Sequence, residues 1–302
     1  MLQFQPITPG LKTLADSYTF KYGEGSCQHS FVSSWCLRHK YNDEFCEHEG
    51  FLYTLRSKFC TENERVYLFP HGSRDDSNAL RQAVQNVLDD AHSHNCRAKF
   101  QTLTQSATDA ITAMFPGKFT VEYTRDYSEY VYRVDELSDI ESHKNIQHFF
   151  RKYGTDCRIE RITEKHIPII RAFQEKWLAE RLADAPEMSN NLITENTCIQ
   201  HALDGFTMLG MSGIIITIDG ETVGYEYGMP LSDDVFDSMA QKGDRKIQDI
   251  YRVLSREFPR MCCEGYTWLN WEEDTGSAGL RGAKESYNPA YILRKYIVRE
   301  NV

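Results

Sequence analysis

The dipeptide Asp219-Gly220 constrains this chain more than any other feature. It supplies the positive φ angles of a tight type I′ turn and lies between two β-branched and aromatic runs, Ile214 to Ile218 and Thr222 to Met229. An antiparallel hairpin is predicted there. Helical spacing surrounds it. Ile199, Ala202, Leu203 and Phe206 precede the hairpin at that spacing. After it, Ile247, Ile250, Tyr251, Leu254 and Phe258 share one face, with Arg245, Asp249, Arg252 and Arg256 on another. Upstream, Thr163 is placed to cap a helix burying Ile170, Phe173 and Trp177. Downstream, Tyr266 to Trp271 reads as a strand, Gly276 to Gly282 as a glycine-rich bend and Tyr291 to Val298 as a last strand. Helices thus alternate with strands through the whole latter half.

The first half repeats that alternation. Phe51 to Leu55 and Val66 to Phe69 read as strands, the second closed by Pro70-His71-Gly72. Leu80, Val84, Val87, Leu88 and Ala91 then recur at helical spacing, with Ser77 as cap and Asn95 past the end. The Tyr- and Val-rich stretch 119–134 returns the chain to a sheet, and a helix-compatible segment spans 138–153. The fold class is α/β (α+β), with mostly antiparallel mixed sheets flanked by helices. At 302 residues the chain has about twice the usual domain length, so two domains are expected, 1–136 and 137–302.

Charge and cysteine usage then exclude whole classes of function. Lys and Arg number 34 against 44 Asp and Glu, a net −10, so nucleic acid has no overall attraction to this surface and a polyanion would need a local patch. No apolar run has the roughly 20 residues of a membrane span. The N-terminus lacks a secretory pattern, and nine scattered cysteines do not form a disulfide framework, which together predict a cytoplasmic protein with free thiols. Cys27, His29, Cys36, His39, Cys46 and His48 invite a zinc reading, but no Cys-x-x-Cys knuckle occurs and apolar residues interleave them, so no metal is assigned. Adjacent Cys262 and Cys263 read as small core residues. Nucleophile-elbow, Walker and dinucleotide fingerprints are absent from the sequence.

The densest chemistry runs from Asn270 to Tyr287. Glu272, Glu273 and Asp274 follow a predicted buried strand, where open α/β sheets bind ligands, and Arg281, Lys284 and Tyr287 follow within reach. Two readings are open: a solvated turn with structural ion pairs, or a site in which Arg281 and Lys284 hold a phosphate while Glu273 or Asp274 accepts a proton from an amine. A second basic segment lies at 242–260, with Lys242, Arg245, Lys246, Arg252, Arg256 and Arg260 against Asp244, Asp249 and Glu257. It reads either as a phosphate patch or as an exposed helix face.

These residues carry a resemblance. Asn270, Glu272-Glu273-Asp274, Gly276, Gly279-Leu280-Arg281, Ala283-Lys284, Ser286-Tyr287, Pro289 and Lys295-Tyr296 are similar to the closing signature of the phosphatidylglycerol lysyltransferase C-terminal family, a branch of the GNAT-like acyl-CoA N-acyltransferase superfamily. Ser17 to Phe20, Phe69 to Gly72 and Tyr130 to Arg133 extend the likeness along the chain. The sequence departs from the family in three places. Gln241-Lys242 stands where a Glu-Lys pair is usual, Gln248 where a glycine is, and His143-Lys144-Asn145 where a longer basic linker is.

The resemblance implies two tandem GNAT-like domains and transfer of an acyl or aminoacyl group from a phosphate-bearing carrier to an amine or hydroxyl. It implies no permanently bound cofactor, with acyl-CoA or aminoacyl-tRNA as co-substrate. On that basis Glu273 or Asp274 is the base or amine anchor and Tyr287 the acid, although Tyr287 equally fits a packing role before Asn288-Pro289. Lys242, Arg281 and Lys284 contact the carrier's phosphates, Asn270 joins the binding set, and Glu272 bonds Arg281. The partner is a small or carrier-linked substrate. The net charge and short linker weigh against an extensive tRNA footprint, and the sequence leaves the oligomeric state open. The competing reading is a non-catalytic GNAT-like protein that binds a ligand or acts as a scaffold.

Overall fold

The structure is a computed structural model that describes residues 2–139 and 144–301. Of the shortened linker, His143 lies outside the described residues. The chain divides into two compact units, one formed by 1–130 with 272–302 and the other by 131–271.

The first unit opens with β1 (Gln5–Pro6), α1 (Lys12–Tyr22), α2 (Phe31–Cys36) and α3 (Arg38–Tyr41). It continues with β2 (Asp43–His48), β3 (Phe51–Arg56), β4 (Glu64–Tyr67), β5 (His71–Gly72), α4 (Ser77–Ser93), β6 (Arg97–Leu103), α5 (Gln105–Met114) and β7 (Phe119–Tyr123). The predicted spacing on α4 is the buried one: Leu80, Val84, Val87, Leu88 and Ala91 all face the core, each large side chain contributing about 2 kcal/mol. The cap is one residue earlier than expected, because Asp76, rather than Ser77, accepts from the Asn78 and Ala79 amides. The stretch read as one strand over 119–134 is two, since Arg125–Tyr127 turns as a 3-10 helix before β8 (Glu129–Arg133).

The second unit runs through α6 (Val134–Ser138), α7 (Lys144–Tyr153), β9 (Cys157–Arg161), α8 (Ile167–Asp184), α9 (Ser189–Asp204), β10 (Ser212–Ile218) and β11 (Glu221–Gly228). It ends with β12 (Val235–Asp237), β13 (Ala240–Gly243), α10 (Ile250–Cys262) and β14 (Trp268–Asn270). Its main sheet has the order β13-β11-β10-β9, antiparallel throughout. The hairpin is where the sequence puts it, with Asp219 at φ 52° and Gly220 at φ 81°. Gly220→Ala places a Cβ in that left-handed turn and is expected to lower stability by about 1 kcal/mol in urea unfolding. Helix α10 starts only after Asp249, at φ 63°, so Ile247 sits in the preceding turn. Arg256 is a correction: it is buried, paired with Glu257 and placed over the Phe150 ring at 5.0 Å, because its long stem covers apolar surface while its head finds a carboxylate.

The chain then returns to the first unit with α11 (Ala278–Glu285), β15 (Tyr291–Leu293) and β16 (Tyr296–Glu300). The expected last strand is therefore two, and the expected glycine-rich bend is a helix. Ser277 caps it by accepting from the Leu280 amide, and Gly279 and Gly282 lie inside it. Strand β16 inserts between β6 and β7, completing an eight-stranded sheet of order β1-β2-β3-β4-β6-β16-β7 with β5 on β3. Strands β4 and β6 run parallel within it. That insertion carries residues 272–302 into the first compact unit, whereas the sequence division put them with the second half.

Candidate functional site

After β14 the backbone turns sharply, with Glu272, Thr275 and Gly276 all at positive φ. The turn directs the Asp274 carboxylate inward, where it is fully buried. There it accepts from Arg281 Nε at 2.8 Å and Nη2 at 2.9 Å, from the Tyr130 hydroxyl at 2.6 Å, from the Gly276 amide at 2.9 Å and from Arg125 Nη1 at 3.2 Å. Arg281 also reaches Asp126 at 2.8 Å, and Arg125 reaches Glu285 at 3.2 Å. Burial alone would raise the pKa of Asp274. The hydrogen bonds from Arg281 and Tyr130 outweigh it and hold the carboxyl well below its usual range. Asp274 is therefore a permanently ionised anchor for two guanidinium groups. Arg281 takes this carboxylate, where the sequence suggested Glu272.

Helical spacing explains the next contact. Three residues beyond Arg281 on α11, Lys284 turns inward and its Nζ donates to the Glu273 carbonyl oxygen at 2.6 Å, 5.5 Å from the Tyr130 ring centre. Burial pushes the Lys284 pKa down, and the carboxylates of Glu272 and Glu273 partly offset that. The Glu273 side chain stays half-buried, with the Cys27 thiol donating to its Oε2 at 3.9 Å. Tyr287 follows the helix, also half-buried, and its amide donates to the Lys284 carbonyl at 3.2 Å. The structure thus holds Arg281 on the Asp274 carboxylate and Lys284 on the neighbouring Glu273 carbonyl, two contacts that tie α11 to the loop before it.

Beneath that group lies a pair without an assigned role in the sequence reading. Lys295 and Glu129 are both completely buried and meet at 2.8 Å. Glu129 also accepts from Ser26 Oγ at 2.8 Å and from the Cys27 amide at 3.2 Å, which links the pair to the residue that touches Glu273. The available signal was a charge inside each strand-like run, Glu129 ahead of Tyr130-Val131-Tyr132 and Lys295 inside Tyr291 to Val298. The zinc candidates are drawn into different surroundings: His29 stacks edge-on to His71, while Cys36 is buried in α2. All nine cysteines are thiols.

Lys242 and Asn270 belong to the second unit. Lys242 is buried on β13, donating to Glu195 at 2.6 Å with its Nζ 4.5 Å from the Trp177 ring centre. Asn270 is fully buried at the end of β14, where its carbonyl accepts from the Ser238 amide at 2.8 Å. The residue missed there is Glu226. It is fully buried on β11 and accepts from Gln241 Nε2 and Ser238 Oγ, each at 2.7 Å, while Gln241 also donates to Ser255 at 3.0 Å. Burial pushes its pKa up to about 7 against those two hydrogen bonds. A carboxylate between Tyr225 and Tyr227 in a buried strand was the legible clue.

A family model decides the relationship: that of the phosphatidylglycerol lysyltransferase C-terminal region matches residues 19–299. The chain belongs to this family. Among solved structures, a conserved protein of unknown function from Bacteroides thetaiotaomicron VPI-5482 superposes with a TM-score of 0.90 at 26% identity over 100% of both chains. L-PGS from Bacillus licheniformis gives 0.63 at 12% identity, covering 95% of this chain and 91% of that one. FemX gives 0.58 at 9% identity, covering 98% and 97%. No curated relative matches the sequence. The α/β class read from the sequence is the class of this phosphatidylglycerol lysyltransferase C-terminal family member. Among its described residues no helix is long and apolar enough to cross a membrane.

Proposed function

We propose that this protein is an acyl- or aminoacyltransferase that moves its group from a phosphate-bearing carrier, acyl-CoA or aminoacyl-tRNA, to an amine or hydroxyl. The observation that carries the reading is the grouping of Glu273, Asp274, Arg281 and Lys284 within a family match that spans nearly the whole chain. In this reading Glu273, the half-buried carboxylate, accepts the proton of the attacking amine. The new N–C bond forms as the carrier's O–C or S–C bond breaks, and Tyr287 protonates the leaving atom. Asp274 holds Arg281 and Arg125 in place. Their guanidinium groups, each about 30% exposed, face the carrier's phosphates. Lys284, buried against the Glu273 carbonyl, fixes the loop. Alignment of the two reactants is the protein's main contribution to rate.

Gln241, standing where the family resemblance expects a carboxylate, favours the second reading, a non-catalytic ligand-binding or scaffold protein. Thermal-shift measurements with acetyl-CoA, longer acyl-CoA species and aminoacyl-tRNA separate the two, because a ligand bound only by the folded state raises its melting temperature. The transferase reading expects a shift with one of these donors. It also expects turnover to fall about a hundredfold in Glu273→Gln and in Tyr287→Phe with melting unchanged. Wild-type turnover in both variants would remove the catalytic assignment.

A further inference from the structure

Several exposed cations of this acidic chain rest on carboxylates, as Arg245 does on Asp184 at 2.7 Å, Lys246 on Glu180 at 2.9 Å and Arg299 on Glu122 at 2.6 Å. Helix α7 of the second unit differs. Its ten residues, Lys144–Tyr153, include no acid. At 3.6 residues per turn, Lys144, His148, Arg151 and Lys152 fall within one arc of about 100°, and Ile146, Phe149, Phe150 and Tyr153 fall on the opposite side. The apolar side is already used: Ile146 and Phe149 are buried, α7 packs on α10, and Arg256 lies over the Phe150 ring at 5.0 Å. All four basic side chains of the outer arc are exposed.

Strand β9, at the edge of its sheet, begins four residues after α7 ends and adds the exposed Arg158 and Arg161. Among the described residues, none of Lys144, Arg151, Lys152, Arg158 and Arg161 forms an ion pair. Arg151 Nε donates to the Gln147 carbonyl at 3.4 Å, and Glu160, the acid on β9, is held by Lys165 at 3.6 Å. Residues 144–161 thus carry five Lys and Arg against two Asp and Glu, within a chain of net −10. At about 0.1 M salt, charges more than roughly 10 Å away are screened, so these cations, and not the net charge, decide what meets this surface. The α7 rings are buried or half-buried, so none offers the stacking platform on which single-stranded nucleic acid relies. A bilayer of anionic headgroups presents its phosphates in a plane, which a convex helical arc can touch along its whole length.

We propose that the outer arc of α7, extended by Arg158 and Arg161, docks on an anionic phospholipid surface. Because the apolar side of α7 packs on α10, the helix rests on the headgroups and does not enter the hydrocarbon. Docking does not depend on the transferase chemistry. The test sediments the full chain with vesicles of about one-third phosphatidylserine in phosphatidylcholine, and with phosphatidylcholine alone, at about 0.1 M salt. Binding is expected to the anionic vesicles and not to the neutral ones, and it should vanish near 1 M salt, where charges are screened beyond about 3 Å. Each Lys or Arg at such a surface contributes about fivefold in partitioning, so Lys144→Gln/Arg151→Gln/Lys152→Gln should weaken binding about a hundredfold. All three side chains are exposed, and the melting temperature should stay at the parent value. Lys58→Gln/Lys165→Gln/Lys176→Gln removes the same charge from outside α7 and should bind within about threefold of the parent. Failure to bind the anionic vesicles, equal binding to phosphatidylcholine, or equal losses in the two triple variants would overturn the surface. So would capture of a duplex RNA by a chain that leaves the vesicles unbound.

Discussion

Lys295→Met is expected to destabilise the first unit by about 4 kcal/mol, one of the two largest effects the structure predicts. Lys295 and Glu129 are both completely buried and 2.8 Å apart, so removing the ammonium leaves a carboxylate in the interior. Ser26 and the Cys27 amide stay beside it, and neither carries a positive charge. The pair itself is not a large net gain, because withdrawing both charges from water costs nearly what their attraction returns. The double variant Lys295→Met/Glu129→Leu should accordingly recover most of the loss, and Lys295→Met/Glu129→Gln should soften it, since an amide needs no counter-charge. Urea unfolding of the four proteins, read at the transition of the first unit, provides the check. A loss under about 1 kcal/mol in Lys295→Met would mean that water reaches Glu129 and that the pair does not underpin the Glu273 loop.

How much of this was legible in the sequence depends on the range of each signal. The Asp219-Gly220 hairpin and the apolar face of α4 are local patterns, and both stand where the spacing put them. The glycine-rich segment failed as a bend because Ser277 caps it and Arg281 and Lys284 each find a buried acceptor, which outweighs the weak helix propensity of Gly279 and Gly282. The 291–298 run broke in two because Lys295 turns inward to Glu129, a partner far off in sequence. Long-range pairing also explains the candidate site. The sequence grouped Glu273, Asp274, Arg281 and Lys284, but it left open which partner each of them takes. Asp274 meets Tyr130 and Arg125, and no spacing rule reports those contacts.

Glu226 provides the other large effect, and it is a dependence on pH. Its folded pKa of about 7 lies above the ordinary carboxylate value of 4.5, so between those values the folded protein keeps a proton that the unfolded chain releases. Stability contributed by the protonated form is present below pH 4.5 and is lost as the pH rises through 7, amounting to about 3 kcal/mol. Glu226→Gln removes the titration while retaining an acceptor for Ser238. Its advantage over the parent protein should therefore grow by about 2.5 kcal/mol between pH 5 and pH 8. Subtracting the two pH profiles cancels the remaining carboxylates, and a gap that stays constant across the range would show that Glu226 is solvated. Gln241→Glu sharpens the contrast. It sets a second carboxylate at hydrogen-bond distance from Glu226, and the two must share one proton. That variant should resemble the parent at pH 5 and lose stability more steeply above pH 7. The carboxamide at 241 is thus the arrangement that lets β11 keep a buried acid next to β13 at neutral pH, and restoring the carboxylate the family resemblance expects would carry a stability cost.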